Sequence, residues 1–183
     1  GRVMNKSAHA FEALREFMVE RHVAARGIHD ENVLNALRAV RREAFVPEEL
    51  QEFAYEDSPL PIAEGQTISQ PYIVALMIDA LELKGGEKVL EIGAGSGYAA
   101  AVLAEIAGNV YTVERLAPLA AKAAATLEEL GYKNLTKHRA WFGIVAPKAT
   151  PDATVSYLNR HINDAIESVK DRYLALNFSP KAM

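Results

Sequence analysis

Residues Val89–Gly97 read Val-Leu-Glu-Ile-Gly-Ala-Gly-Ser-Gly, an apolar run that breaks into glycines at positions 93, 95 and 97. A helix-forming segment, Tyr98–Ala107, follows at once. Strand, glycine turn and helix start together let a backbone lie close against a nucleotide-like ligand. Glycine suits such a turn because a Cβ would block the ligand and disfavour positive φ angles. The spacing also separates ligand classes. A dinucleotide loop, G-x-G-x-x-G, would need its third glycine where Tyr98 stands. The observed G-x-G-x-G favours S-adenosylmethionine, which brings no pyrophosphate; a bare strand–turn–helix without a ligand is the alternative.

Two carboxylates and one polar segment accompany this loop. Glu114 ends the next apolar segment, where an acid can accept hydrogen bonds from both ribose hydroxyls of a nucleotide; the competing reading is a surface acid ahead of a helix. Glu91 lies within the first strand, where an unpaired carboxylate is costly to bury. It is expected to face a ligand or to bond a loop amide. Gly65-Gln66-Thr67-Ile68-Ser69-Gln70-Pro71 is either a loop with Ser69 as helix cap or a ligand lid. The five histidines show no metal spacing, and no metal ligands are assigned. No cysteine is present, which excludes thiol nucleophiles, thiolate metal sites and disulfides.

The elements that must position these residues follow from periodicity. Ala8–Ala25 has helical spacing and stops at Gly27, and Asp30 is placed to cap a second helix bearing Val33, Leu34, Leu37 and Val40. Phe45–Ile62 is irregular, with Pro47, Pro59 and Pro61 as breakers. A helix is expected over Pro71–Leu83, with Ser69 near its cap. An alternating α/β run comes next: strand Lys88–Ile92, helix Tyr98–Ala107, strand Val110–Val113 and helix Leu116–Leu130. That order implies a parallel, right-handed sheet. Leu135–Val145 reads as extended and Pro147–Pro151 as a loop. A helix starting at Pro151 would bury Val155, Leu158, Ile162 and Ile166, and Lys170–Leu176 would form a last short helix. A net charge of −4 without a basic cluster argues against nucleic acid as a partner. No apolar stretch is long enough to span a membrane, and a cytoplasmic location is expected.

Three stretches make a more specific match: "REAFVPEEL", "AYEDSPLPIAEGQTISQPYIVALMIDALELKGGEKVLEIGAGSGYAAAVLAEIAGNVYTVE" and "LEELGYKN". Over about Met4–Leu135 the chain resembles bacterial protein-L-isoaspartate O-methyltransferases. The resemblance implies a doubly wound methyltransferase sheet and methyl transfer from S-adenosylmethionine to an isoaspartyl α-carboxylate. By that resemblance Glu91, Gly93, Ala94, Gly95, Ser96 and Gly97 form the cofactor loop and Glu114 holds the ribose. Ser69 matches the family's active-site serine, and Pro61, Ile62, Gln66 and Thr67 line the peptide site.

The resemblance ends abruptly. A Gly-Asp-Gly-like turn belongs after the third strand in that family, but here the chain reads Lys137-His138-Arg139-Ala140-Trp141. Trp141–Pro180 is instead similar to a C-terminal segment of periplasmic tripartite tricarboxylate-type solute-binding proteins. The expectation is therefore an engineered chimera joined near Thr136–Trp141. It would be a single three-layer α/β domain over residues 1–183, with a Rossmann-like part over 1–138, a strand–helix part over 139–183 and a truncated, mainly parallel sheet. S-adenosylmethionine binding would be weakened or lost, and isoaspartyl peptides would be partners only if activity survives. An active isoaspartyl methyltransferase is the alternative and a solute-binding module the third reading. An exposed sheet edge would also allow a homodimer.

Overall fold

The computed structural model describes residues 2–139, together with residues 153, 154, 156, 157 and 160. The backbone gathers into two compact units, Gly1–Trp141 and Phe142–Met183, where one domain with a part boundary at 138/139 is expected. In the second unit the five described residues are helical, within the helix expected from Pro151. The expected loop Pro147–Pro151, the helix Lys170–Leu176 and the extended stretch beyond Arg139 lie outside the described residues.

The first unit opens with helix α1, Arg2–Phe17, which starts ahead of the expected Ala8. It widens into a π turn over Met18–Val23, tightens into a 3₁₀ turn over Ala24–Arg26 and stops at Gly27, whose φ of 99° only glycine adopts without cost. Met18, Val19 and Val23 are fully buried, so the irregular turns still deliver an apolar face to the core. Helix α2, Glu31–Ala39, begins where expected: Asp30 accepts the Asn32 amide at 2.8 Å, and the helix buries Val33, Leu34 and Leu37. Short 3₁₀ turns over Arg42–Phe45 and Glu48–Phe53 fill the proline-rich stretch. Arg15 ties α1 to this region, donating to the Tyr55 hydroxyl at 2.9 Å and to the Arg38 carbonyl at 3.2 Å.

Leu60–Pro61 (β1) and Thr67–Ile68 (β2) pair antiparallel, with Leu60 opposite Ile68 and Pro61 opposite Thr67. Helix α3, Pro71–Asp79, comes next. It ends before the expected Leu83, because Glu82 takes a φ of 49° and the Glu87 carboxylate gathers the amides of Lys84, Gly85 and Gly86. Those three amides hold the Glu87 carboxyl below its usual range.

The remainder is β3 (Lys88–Ile92), α4 (Tyr98–Ala104), β4 (Asn109–Glu114), α5 (Ala117–Glu129) and β5 (Leu135–Arg139). Both strand pairs are parallel, in the order β3-β4-β5, so the fold is α/β with a mainly parallel sheet. Register places Val89, Glu91, Val110, Thr112, Glu114 and Leu135 on one face, which is covered. Leu90 and Ile92 point to the other face and are 63% and 66% exposed. Among the described residues β3 is an edge strand. No helix there is long and apolar enough to cross a membrane.

Candidate functional site

The carboxyl ends of β3 and β4 converge on the glycine loop. Gly93, Gly95 and Gly97 have φ values of 90°, 55° and 90°, a region that other residues enter only with strain. Gly93 and Ala94 donate to the Val113 carbonyl at 2.8 and 3.1 Å, which pins the turn to the end of β4. A Cβ on Gly93 would meet nothing within 4 Å, and one on Gly95 only Ile62 Cδ1 at 3.9 Å. The loop is therefore a cradle with room above its backbone. Gly97 is different: a Cβ there would come within 3.2 Å of Ala123 Cβ and of Leu127 Cδ1 on α5. Ser96 Oγ accepts the Tyr98 amide at 3.3 Å where α4 begins.

Glu114 holds this end of the sheet together. The Gly95 amide donates to its Oε2 and the Leu116 amide to its Oε1, each at 2.9 Å, and the residue is only 8% exposed. One carboxylate thus joins the glycine loop to the turn before α5. Each oxygen keeps a further lone pair, so accepting two amides leaves capacity for hydroxyl donors. The loop amide foreseen for Glu91 goes to Glu114 instead. Glu91 accepts a short hydrogen bond from the hydroxyl of Thr112, its register partner on β4. Burial raises the Glu91 carboxyl to about 7; the Thr112 hydroxyl opposes that rise, and the nearby Glu114 charge adds to it.

The second predicted segment is the β1–β2 hairpin and its exit. Its tip closes through Ile62 N–H to the Gln66 carbonyl at 2.8 Å and Gln66 N–H to the Ala63 carbonyl at 3.2 Å. Glu64 and Gly65 sit there at φ of 59° and 64°. Ile62 reaches Gly95, and a small cleft is lined by Ile62 and Ala63 from the tip, Gly95 and Ser96 from the loop, and Leu119 and Lys122 from α5. Pro61, Gln66, Thr67 and Ser69 are exposed along the same hairpin and its exit. The expected capping role of Ser69 is not realised. Gln70 occupies the N-cap position ahead of Pro71, and the Gln70 amide donates to Asp57 Oδ2 at 2.8 Å and to the Asp57 carbonyl at 3.0 Å.

One residue that sequence reasoning missed is central to this arrangement. Arg42 is fully buried, donates from Nε to the Ala54 carbonyl at 2.7 Å and from Nη2 to the Ser69 carbonyl at 2.8 Å. Its guanidinium lies 4.6 Å from the ring centre of Tyr98, itself 1% exposed. Burial pushes the guanidinium below its usual range, while Tyr98, Tyr55 and Asp57 oppose the shift. The only sequence signal was its setting, a cation among Val40, Phe45 and Val46. A roomier cleft of about 560 Å³ lies elsewhere, among Arg41, Glu105, Tyr132, Lys133 and Asn134. It contains none of the residues assigned to the site.

Comparison with known proteins decides the family. The profile of protein-L-isoaspartate(D-aspartate) O-methyltransferases matches residues 13–143. The chain belongs to this family. Two protein-L-isoaspartate O-methyltransferases from Rhodopseudomonas palustris strains are 66% and 62% identical to it, over 67% and 72% of the chain. The chain spans 56% and 54% of the length of these two relatives. A third, from Marinobacter nauticus, is 51% identical over 81% of the chain and 68% of its own length. A Plasmodium falciparum protein-L-isoaspartate O-methyltransferase crystallised with S-adenosyl-L-homocysteine is structurally similar, with a TM-score of 0.56 and 26% identity. That similarity covers 67% of the chain and 61% of the Plasmodium protein. A further protein-L-isoaspartate O-methyltransferase structure matches with a TM-score of 0.59 and 27% identity, over 76% of the chain and 45% of its own. The fold is thus the methyltransferase-type α/β fold of the isoaspartyl methyltransferase family. The family match runs across residues 136–141, the stretch where a junction is expected from the sequence.

Proposed function

We propose that this chain binds S-adenosylmethionine at the glycine loop and methylates the α-carboxylate of isoaspartyl residues in peptides. The observation that carries the reading is the carboxyl end of the sheet, where Glu114 takes the Gly95 amide and the hairpin-tip residue Ile62 lies beside the same glycine. The glycine cradle and the Glu114 carboxylate at the end of β4 fit an adenosine-bearing ligand. In this reading Gly93–Gly97 present backbone to it and Glu114 accepts from ribose hydroxyls. Bound S-adenosylmethionine supplies an electrophilic methyl group on a sulfonium sulfur.

The protein's own part is alignment. A carboxylate with a pKa near 4 is already ionised at neutral pH, so no strong base is needed. The new bond is carboxylate oxygen to methyl carbon; the bond that breaks is methyl carbon to sulfur, whose electron pair stays on the departing thioether. Holding the oxygen in line and shedding its water supplies the rate. The peptide lies along Pro61, Ile62, Gln66 and Thr67, with Ser69 orienting groups rather than attacking. A cytoplasmic location, expected from the sequence, goes with this reading.

The test is calorimetric titration of S-adenosylhomocysteine, followed by radiolabelled methyl transfer to an isoaspartyl peptide and to its aspartyl counterpart. Binding with label entering only the isoaspartyl peptide is the expected result. No label above the aspartyl control would overturn the activity. The second reading, an engineered chimera with little or no turnover, rests on the Lys137–Trp141 sequence. Binding without transfer would favour it. The receptor-like reading of Trp141–Pro180 requires a thermal shift with tricarboxylates. Pairing of the β3 edge with a second copy would appear as a concentration-dependent mass in sedimentation equilibrium.

A further inference from the structure

A buried arginine without a carboxylate as its main partner needs a reason, because desolvating the charge is costly and an apolar side chain would fill the space more cheaply. Arg42 offsets part of that cost with two carbonyl oxygens and a ring face, its buried Nη1 having no hydrogen-bond partner among the described residues, and those partners come from three separate parts of the chain. Ala54 lies at the end of a 3₁₀ turn, Ser69 leads into α3, and Tyr98 is the first residue of α4, directly after the glycine loop. Tyr98 is braced from behind by Phe45, ring centres 5.7 Å apart in an edge contact. The serine segment is held a second time through Gln70 and Asp57, and Asp57 Oδ2 also receives Arg26 Nη1 at 2.7 Å. The glycine loop has independent supports, the Val113 carbonyl and the Glu114 carboxylate.

We propose that Arg42 is a positioning residue, one that fixes the backbone of Ser69 against the start of the cofactor helix by bridging the Ser69 carbonyl to the Tyr98 ring. The geometry needs a planar fork. Nε and Nη2 point to two carbonyls while the guanidinium carbon lies over the Tyr98 ring, 4.6 Å from its centre, and a lysine ammonium cannot hold both carbonyls in that fixed fork. The consequence for catalysis rests on the proposed methyl transfer; the mechanical claim does not.

Arg42→Lys and Arg42→Met are the test variants, read by hydrogen exchange and by kinetics. Amides of residues 67–70 and of Tyr72 are expected to exchange faster in both, while those of β3 and β4 keep their wild-type protection. If the wild-type protein transfers methyl groups, kcat with an isoaspartyl peptide should fall by about tenfold to a hundredfold, the usual cost of a small misplacement. The dissociation constant for S-adenosylhomocysteine should stay within about threefold of wild type, since the loop's own supports are untouched. Unchanged exchange at 67–70 and Tyr72, uniform acceleration across the unit, or loss of the whole fold in both variants would each overturn the assignment, as would a loss of S-adenosylhomocysteine affinity matching the loss in kcat. A wild-type protein that transfers no methyl would refute the proposed activity alone, because the exchange arm still reads Arg42.

Discussion

Gly97→Ala should be the most damaging single-methyl change in the glycine loop, and the structure says by how much. The position has a φ of 90°, so any side chain adds left-handed strain of about 1–2 kcal/mol. Its Cβ would also stand 3.2 Å from Ala123 Cβ and from Leu127 Cδ1. Leu127 can yield at its flexible end, but Ala123 Cβ is fixed to the backbone of α5, and such overpacking costs about 1–3 kcal/mol more. The total is about 2–5 kcal/mol, a large part of the stability of an ordinary domain. Gly93→Ala carries the same φ with open space around it, so strain alone applies and about 1–2 kcal/mol is expected. Urea unfolding of the two variants and the wild type measures the difference directly. Ala123→Gly in the Gly97→Ala background should recover part of the clash energy, less about 1 kcal/mol for glycine in a helix. If Gly97→Ala were no worse than Gly93→Ala within about 0.5 kcal/mol, the close seam between the loop and α5 would be refuted.

Further predictions concern the carboxylates and one cap. Glu91 has a folded-state pKa raised to about 7, so the native state binds more protons than the unfolded chain between the usual carboxylate value and pH 7. Wild-type stability should therefore decline by up to about 3 kcal/mol as pH rises through that window, then level off. Glu91→Gln should remove that slope, and parallel stability–pH curves for the two proteins would refute the assignment. Glu114→Gln keeps one acceptor oxygen where two amides now donate, leaving one amide unmatched. A stability loss of about 1–3 kcal/mol is expected, together with weaker S-adenosylhomocysteine binding by calorimetry. Asp30→Ala should cost about 1 kcal/mol through loss of the α2 cap and leave that binding unchanged, which thermal denaturation and the same titration would show.

What could be read from the sequence was local. Lys88–Ile92 announces itself as a strand because an apolar run ends on glycine, and Asp30 announces a cap because its amide partner, Asn32, lies two residues ahead. The roles that misled depend on partners far along the chain. Ser69 looked like a cap beside Pro71, but its carbonyl is taken by Arg42, which no local rule reveals. Glu91 needed a donor, and only the β3–β4 register identifies it as Thr112. Arg42 was passed over because arginine is a surface residue by default. The ends of α3 and α4 fall short of their apolar periodicity for a similar reason: the Glu87 carboxylate and the turn at Glu105 stop helices whose side chains would otherwise continue.

The two halves of the candidate site are thus organised by two buried charges of opposite sign, and each is met by backbone rather than by a counter-ion alone. Glu114 gathers amide hydrogens from the glycine loop and the turn before α5, while Arg42 gathers carbonyl oxygens from the serine segment and its neighbour. Such contacts fix the main chain itself, whose position decides where a ligand and an exposed serine sit. They are also short and shielded, so salt should weaken them far less than the exposed pairs of Arg38 with Glu16 and Glu20. Raising ionic strength should then loosen the α1–α2 surface before it disturbs the loop or the hairpin. The same reasoning explains why the loop and the hairpin can be perturbed separately: among the described residues Glu114 and Arg42 share no hydrogen-bond partner, Glu114 holding the loop ahead of the helix that Tyr98 begins and Arg42 lying over the Tyr98 ring.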